Sequence, residues 1–122
     1  MKEAVCPYRC PVETTLDLIG GKYKALILWR LSDRTMRYNE LQKIMPQATP
    51  KMLTQQLREL ESDGLLTRTV YPVVPPKVEY AISAYGQSLR PVLEAMYDWG
   101  ESHLEQQGIE ARCPIKVRAD GG

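Results

Sequence analysis

The chain has 122 residues, 43% of them hydrophobic, and its 16 basic and 15 acidic side chains leave a formal net charge of +1. This length suits one domain with its own hydrophobic core and is too short for two domains of usual size. A nearly neutral chain is not a general binder of polyanions, so any nucleic-acid surface must be a local concentration of positive charge.

The first third of the chain predicts a series of short helices. VETTLDLIGG, residues 12–21, is typical of a helix that ends at a glycine pair, and the apolar KYKALILWRL, residues 22–31, predicts a helix at the centre of the core. SDRTMRY, residues 32–38, predicts a turn with a few extended residues. NELQKIM, residues 39–45, predicts a short helix with Asn39 as its N-cap.

The segment TPKMLTQQLRELESDGL, residues 49–65, predicts the second helix of a helix-turn-helix. Thr49 suits the N-cap, Pro50 the first helical position and Gly64 a left-handed C-cap. At about 100° per residue, apolar and polar side chains separate onto opposite faces of this helix. The core face carries Leu53, Leu57 and Leu60, and the outward face carries Lys51, Gln55, Arg58 and Ser62.

The segments TRTVYPV, residues 67–73, and KVEYAIS, residues 77–83, predict two strands of a hairpin. Proline cannot donate a hydrogen bond to a strand ladder, so Pro75 and Pro76 belong at the projecting tip. A helix-turn-helix followed by such a hairpin predicts a winged helix, which is an α+β fold of mostly α character.

The last helical region opens at Ser83, and Pro91 either starts its main part or kinks it. Its apolar stripe is broader than a small domain covers alone. The stripe therefore predicts a homodimer; the alternative is that this helix packs only onto its own domain. The predicted interface residues are Leu89, Val92, Leu93, Met96 and Trp99, and the predicted boundaries are a flexible arm over 1–9, one domain over 10–107 and a flexible tail over 108–122.

Three blocks of sequence, in this order, carry a family resemblance: CPVETTLDLIGGKYKALILWRL, RYNELQKIMPQATPKMLTQQLRELESDGLLTRTVYPVVPPKVEYAIS and YGQSLRPVLEAMYDWG. Together they resemble the HxlR family of bacterial winged-helix transcriptional regulators, which is related to the MarR type. The resemblance implies a winged helix-turn-helix with extra N- and C-terminal dimerisation helices. It also implies that the second helix of the helix-turn-helix enters the DNA major groove while the wing approaches the adjacent minor groove.

The resemblance also implies a set of DNA contacts on double-stranded DNA. By side-chain chemistry, Arg58 and Gln55 suit base edges, whereas Thr49, Lys51 and Arg37 suit phosphates. The alternative is an ordinary amphipathic surface helix with a solvated outer face. The full set of predicted contacts is Arg37, Thr49, Lys51, Thr54, Gln55 and Arg58, with Lys77 on the wing as a weaker candidate.

Cys10 stands at the start of the first predicted helix, next to Arg9 and Pro11. The helix dipole and the cationic neighbour both favour the thiolate, while Glu13 opposes it. Some members of the resembled family sense quinones, aldehydes or oxidants through a cysteine at this position. Cys10 is therefore a candidate redox sensor for a small reactive effector; the alternative is a small thiol that packs near the dimer interface. Its candidate partners are Cys6 and Cys113.

Other function classes find little support in the sequence. The chain has neither a long apolar run nor a signal peptide, and its cysteine count is odd, which predicts a cytoplasmic protein with free thiols and no membrane contact. No phosphate loop, nucleophile elbow or carboxylate pair with a base indicates an enzyme, and no cofactor is expected. A metal site would need all of Cys6, Cys10, Cys113 and His103, so none is expected.

These patterns together predict a dimeric, sequence-specific DNA-binding transcriptional regulator. Repression is the expected outcome, on a near-palindromic operator whose half-sites match the two-fold symmetry of the dimer. The alternative is a winged-helix module that binds another protein and no DNA, because a fold does not by itself fix a function.

Overall fold

The computed structural model describes residues 10–110 of the chain. The predicted arm over residues 1–9 and the tail from residue 111 onward lie outside this range. The described part is mostly helical, as predicted, and has one small antiparallel sheet, in which a short strand before the helix-turn-helix pairs with the second strand of the predicted hairpin. The elements are α1 (Pro11–Ile19), α2 (Lys24–Leu31), β1 (Met36–Arg37), α3 (Tyr38–Ile44), α4 (Pro50–Ser62), β2 (Leu66–Tyr71), β3 (Lys77–Ile82), α5 (Ala84–Gln87) and α6 (Arg90–Gln106).

Helix α2 supplies the centre of the core, as its apolar sequence predicts. Its Ile27 and Leu28 are fully buried and share one apolar cluster with the leucines of α4. Burying such a side chain is worth about 1.5–3 kcal/mol relative to leaving it exposed. This packing fixes which face of α4 points outward. The predicted core residues Leu53, Leu57 and Leu60 are all buried.

Both ends of α4 follow the predicted capping pattern. The Thr49 hydroxyl accepts a hydrogen bond from the Met52 backbone N–H at 3.1 Å, and Pro50 occupies the first turn. At the other end Gly64 has a φ of 79°, a left-handed conformation that glycine adopts without steric cost. The helix therefore has defined limits that do not depend on a ligand.

Helix α3 begins one residue earlier than predicted, and the prediction of Asn39 as its N-cap is wrong. Arg37 holds the N-cap position, and its backbone N–H donates to the Glu40 carboxylate at 2.8 Å. Met36 and Arg37 also pair with β3, opposite Tyr80 and Glu79. This strand pairing ends the extended segment at Arg37, so Asn39 falls inside the first helical turn.

Strands β2 and β3 form the predicted hairpin. They pair from Leu66 opposite Ile82 to Tyr71 opposite Lys77, which leaves residues 72–76 as the tip. The predicted placement of prolines at the tip is thus confirmed. The hairpin projects from the helix-turn-helix as a wing.

The C-terminal region divides into two helices at the point that Pro91 marks. Ser83 caps the short α5, with its hydroxyl accepting from the Gly86 N–H at 2.9 Å, and α6 then starts with Pro91 in its first turn. Pro91 therefore starts the main helix and does not kink it. No helix within residues 10–110 combines the length and apolar character that a membrane crossing requires.

One predicted interface residue of α6 packs inside its own domain. Leu93 is only 3% exposed and belongs to the core cluster, while Tyr97 one turn later stacks on Trp29 with ring centroids 5.3 Å apart. Leu93 was predicted to face a partner chain, and the structure corrects this assignment, because α2 and α6 pack against each other at this position. Leu89 is half-buried against the same core.

Candidate nucleic-acid interface

The outward face of α4 presents a continuous set of polar side chains. Leucines on the opposite face hold the helix against the core, so the polar face is turned to solvent over the whole helix. A shallow surface depression runs along it. Its lining residues are Pro50, Lys51, Thr54, Gln55, Arg58 and Glu59.

The connection between α3 and α4 keeps this face in a fixed position. Ala48 in the turn is buried, and the Tyr38 hydroxyl donates to the Pro50 carbonyl at 3.2 Å. The first residue of α3 is thereby tied to the first residue of α4. Tyr38 is half-buried and packs against the core.

The structure brings four of the predicted DNA contacts together and places the others nearby or elsewhere. Lys51, Thr54, Gln55 and Arg58 lie on the outward face of α4, and Thr49 caps its start. Arg37 and Lys77 instead lie on the sheet. Their side chains differ in exposure: Arg37, Thr49, Lys51, Gln55 and Arg58 are exposed, and Thr54 and Lys77 are half-buried.

The cations on α4 are free to meet an anionic ligand. Among residues 10–110, neither Lys51 nor Arg58 forms an ion pair with an acidic side chain. Lys77 on the wing is engaged by contrast: its ammonium lies 3.4 Å from a Glu79 carboxylate oxygen and 5.0 Å from the centroid of the Tyr71 ring. Lys77 is therefore a weaker candidate for a DNA contact than its charge alone indicates.

The wing carries one cation that sequence reasoning left out. Arg68 is exposed on β2, opposite Tyr80 of β3, and forms no ion pair among the described residues. Leu66 and Arg68 are two residues apart and lie on the same face of the strand, so alternation gave no signal for the exposure of Arg68. The tip of the wing is apolar, with Val73 51% and Val74 99% exposed.

Sequence reasoning also missed two residues, Glu59 and Lys24, that hold Gln55 in place on the outward face of α4. Glu59 accepts a hydrogen bond from Gln55 Nε2 at 3.2 Å, and Lys24 of α2 pairs with the same carboxylate at 2.6 Å. The spacing of Gln55 and Glu59, one helical turn apart, was a signal for the first contact. The sequence held no signal for the second, because Lys24 lies far away along the chain.

Cys10 is an exposed thiol at the N-cap position of α1. The backbone N–H groups of Glu13, chiefly, and of Val12 hold the pKa of the Cys10 thiol below its ordinary value. The predicted lowering by the helix N-terminus thus has a specific source in two N–H groups of the first turn. The candidate partners Cys6 and Cys113 lie outside the described residues.

An apolar surface extends over the two terminal helices, outside the helix-turn-helix. Val12 and Leu16 of α1 are 66% and 59% exposed, and Trp99 of α6 is 71% exposed. Trp99 stacks on His103 with ring centroids 5.3 Å apart, so His103 is engaged with an aromatic ring. Within residues 10–110, no three His, Cys, Asp or Glu side chains come close enough to hold a metal ion.

A sequence model of the HxlR-like helix-turn-helix family matches residues 18–108, which include the helix-turn-helix, the wing and α6. The chain belongs to this family. The uncharacterised HTH-type transcriptional regulator YdeP of Bacillus subtilis (strain 168) is 54% identical over 97 residues, which cover 80% of this chain and 76% of YdeP.

Solved structures of this kind superpose on the chain. The redox regulator HypR in its oxidised form gives a TM-score of 0.74 at 52% identity, and the match covers 76% of this chain and 96% of HypR. The reduced form of the transcriptional regulator YodB from B. subtilis gives a TM-score of 0.67 at 33% identity, covering 77% of this chain and 93% of YodB. Other structures with the same fold are MarR-family regulators.

Membership in the HxlR-like family confirms the predicted resemblance and the winged-helix fold. It also confirms the predicted class of function, because the relatives are transcriptional regulators with a helix-turn-helix. None of the relatives named above is an enzyme.

Proposed function

We propose that the protein is a homodimeric, sequence-specific DNA-binding regulator that represses transcription from a near-palindromic operator and responds to oxidants or electrophiles through Cys10. The observation that carries the proposal is the outward face of α4, where Lys51 and Arg58 are exposed and unpaired among the described residues. A helix-turn-helix held in one geometry and carrying free cations on its second helix suits a DNA groove.

The dimensions of α4 fit this role. Its 13 residues span about 20 Å at 1.5 Å per residue, and the B-DNA major groove is about 12 Å wide and admits a helix. Lys51 stands in the first turn, where backbone N–H groups also favour a phosphate. Arg58 stands two turns later, where a guanidinium can bind guanine O6 and N7 together.

The apolar surface of α1 and α6 supports the dimer. Val92 and Met96 are 39% and 50% exposed on the same side of α6 as Trp99, and such an area is costly to leave in water. A two-fold dimer formed through the terminal helices places two copies of α4 about 34–36 Å apart, which is one turn of DNA. This geometry requires an operator with two matching half-sites.

Fluorescence anisotropy titrations test DNA binding. The protein is titrated against duplex from its own upstream region and against operators selected from genomic fragments, with random duplex as competitor and at two salt concentrations. Arg58→Ala is expected to weaken binding by about 1–3 kcal/mol and relax one base position, whereas Lys51→Ala weakens binding to every sequence and lowers the salt slope by about 1.

Lys22→Ala is the matched control, because it removes the same charge from the turn between α1 and α2, outside the set of predicted DNA contacts. It should leave both affinity and specificity near those of the unaltered protein. Unchanged titrations for the Arg58 and Lys51 variants would refute DNA reading by α4. If no genomic duplex outcompetes random duplex, the protein does not read DNA sequence.

Regulation through Cys10 rests on its exposed thiol and lowered pKa. In a chain that carries Cys6→Ser and Cys113→Ser, the rate of alkylation by iodoacetamide should reach half of its plateau at a lower pH than for a free cysteine. Treatment with diamide or a quinone should then release the operator from the unaltered protein and leave Cys10→Ser bound. Equal release from Cys10→Ser would exclude Cys10 as the sensor.

One observation favours a second candidate function, a winged-helix module that binds protein and no DNA. The tip of the wing exposes Val73 and Val74 next to each other, and neighbouring exposed apolar side chains can mark a site that binds another protein. If Val74→Ser leaves operator binding unchanged and Arg68→Ala weakens it, the wing contacts DNA along its strand and not through the tip.

A further inference from the structure

A chain of three side chains runs from the interior of the domain to the outward face of α4. Lys24 Nζ on α2 lies 2.6 Å from Glu59 Oε1, and Gln55 Nε2 lies 3.2 Å from Glu59 Oε2. The Lys24 side chain is 9% exposed and the Glu59 side chain 44%, while Gln55 is exposed. The buried ammonium thus acts on Gln55 through the carboxylate between them.

The ionisation of Glu59 decides which end of the Gln55 amide points to it. The hydrogen bonds from Lys24 and then Gln55 hold the pKa of the Glu59 carboxyl below its ordinary value. A carboxylate can only accept hydrogen bonds, so Gln55 must present its Nε2 group and cannot present its carbonyl oxygen. Because Nε2 of Gln55 is turned toward Glu59, its Oε1 remains available to a base in the major groove.

A neighbouring contact prevents α4 from rotating to release this arrangement. The side-chain amide oxygen of Gln56, Oε1, accepts a hydrogen bond from the Tyr23 backbone N–H at 2.8 Å. Tyr23 is the N-cap of α2, where a free N–H needs an acceptor. The Tyr23 backbone N–H and the Lys24 side chain, from two consecutive residues at the start of α2, therefore hold α4 at Gln56 and Glu59, on both sides of the buried Leu57.

We propose that Lys24 and Glu59 are specificity-determining residues that position the Gln55 amide so that its carbonyl oxygen reads an exocyclic amino group in the major groove. Adenine N6 and cytosine N4 present such a donor there, whereas guanine O6 and thymine O4 present acceptors. The second Nε2 hydrogen stays available for adenine N7, so adenine is the preferred base at this position. The inference rests on the proposed DNA-binding function and names the base chemistry that one of its contacts accepts.

Lys24 has a second effect on the same surface. An unneutralised carboxylate on α4 would repel the phosphates that flank the groove. The ion pair with Lys24 removes most of that repulsion while leaving Glu59 available to Gln55. Loss of Lys24 should therefore weaken binding to all sequences in addition to relaxing one position.

Selection of sites from a randomised duplex library, followed by titrations with single-base variants of the selected site, tests the proposal. The unaltered protein should discriminate at one position of each half-site by about 5- to 150-fold, which is the range for one good base contact. Glu59→Gln should reduce this ratio to near 1, because a neutral amide can donate as well as accept and frees Gln55 to turn. Lys24→Met leaves Glu59 ionised but removes the ammonium that fixes its carboxylate, so it should relax the same position less than Glu59→Gln does and also lower the affinity for random duplex.

Glu61→Gln is the matched control, because it removes an equal charge from an exposed site on α4 that does not contact Gln55. It should leave the base preference unchanged. Gln55→Ala should relax the same position as Glu59→Gln, and the double variant should relax it no further. A further loss in the double variant would show that Glu59 itself contacts a base, which overturns the proposal.

Two results would also overturn it, and both are distinguishable from failure of the proposed function. Retention of the original base preference by Glu59→Gln and Lys24→Met would show that the ion pair does not position Gln55. A preference for guanine or thymine at the position that Gln55→Ala relaxes would show that Oε1 does not read it. An unaltered protein that selects no site at all refutes both proposals. Circular dichroism shows whether each variant is folded. If Lys24→Met does not fold, Glu59→Gln alone tests the proposal.

Discussion

Gly86 occupies the tightest backbone contact between the wing and α5, and Gly86→Ala tests this packing. A Cβ atom at this position would lie 2.1 Å from the Leu65 carbonyl oxygen and 2.8 Å from Ile82 Cγ1, whereas ordinary contacts begin at 3.4 Å. The Leu65 carbonyl cannot move freely, because it accepts a hydrogen bond from the Ser83 N–H at 3.1 Å and precedes β2. Either α5 or the base of the wing must therefore shift by about 1 Å.

The expected cost follows from two opposing effects. Forcing an extra carbon into a packed site costs about 3 kcal/mol, near the upper end of the usual range. Replacing glycine by alanine within a helix recovers about 1 kcal/mol. Gly86→Ala should therefore lower the free energy of unfolding by about 2 kcal/mol, which is a large part of the stability of a small domain.

Urea denaturation at one fixed protein concentration measures this loss, because the stability of a dimer depends on concentration. Gln87→Ala, at the exposed next position, is the control and should stay within about 0.5 kcal/mol of the unaltered protein. The amide hydrogen of Ser83 should exchange with solvent faster in Gly86→Ala than in the unaltered protein, because its hydrogen bond to the Leu65 carbonyl is disturbed. An alanine variant as stable as the original would refute the assignment of a rigid contact at this junction.

Substitutions at two further positions test the caps of the helix-turn-helix. Thr49→Ala removes the acceptor of the Met52 N–H and should lower the free energy of unfolding by about 1 kcal/mol. Thr49→Asp should keep the stability, because its carboxylate can accept the same hydrogen bond, but weaken DNA binding by repelling phosphate. A Thr49→Ala variant as stable as the unaltered protein would exclude the cap. Glu40→Gln should destabilise the protein at pH 7, because the Arg37 N–H, chiefly, lowers the pKa of the Glu40 carboxyl. A carboxyl whose pKa is lower in the folded state stabilises the fold above its ordinary pKa, and this stabilisation is lost as the pH falls through the folded pKa. The stabilities of the unaltered protein and Glu40→Gln should therefore converge in acid. A stability difference that does not change with pH would contradict this cause.

The elements that the sequence predicted well are those whose signals are local. The limits of α4 depend on Thr49, Pro50 and Gly64, which stand within or next to the helix, and its faces depend on a regular spacing of leucines. The wing depends on two segments rich in β-branched and aromatic residues and on prolines at its tip. Each of these signals acts through backbone geometry within a few residues, so distant parts of the chain do not change the result.

Two predictions were wrong because the deciding contact comes from a distant residue. Asn39 is a good N-cap by type, but pairing of Met36 and Arg37 with β3 sets the end of the extended segment one residue earlier. Leu93 fits the apolar stripe of α6 as well as Met96 does, and only the packing of α6 on α2 decides that Leu93 is inside. Helical periodicity identifies an apolar side but cannot divide it between the core and a partner.

The candidate site shows the same limit in its charges. A helical wheel indicates which side chains of α4 point outward, yet it cannot show which are already held by a partner elsewhere in the domain. Three carboxylates on the helix-turn-helix and wing lie beside a cation, which reduces their repulsion of a polyanion while the net charge of the chain stays at +1. These pairs are Arg34 with Glu40, Lys24 with Glu59 and Lys77 with Glu79.

This pairing explains how a nearly neutral chain can present a positive surface. The cations left without an acidic partner among residues 10–110 include Lys51, Arg58 and Arg68, which lie on α4 and the wing. These three cations therefore stand on the two elements that a winged helix places against DNA, although basic and acidic residues are almost equal in number. Replacing the cation of one pair by an acid in Lys24→Glu should weaken binding to random duplex more than Lys22→Glu does. The new negative charge would then stand beside an unpaired Glu59, next to the outward face of α4.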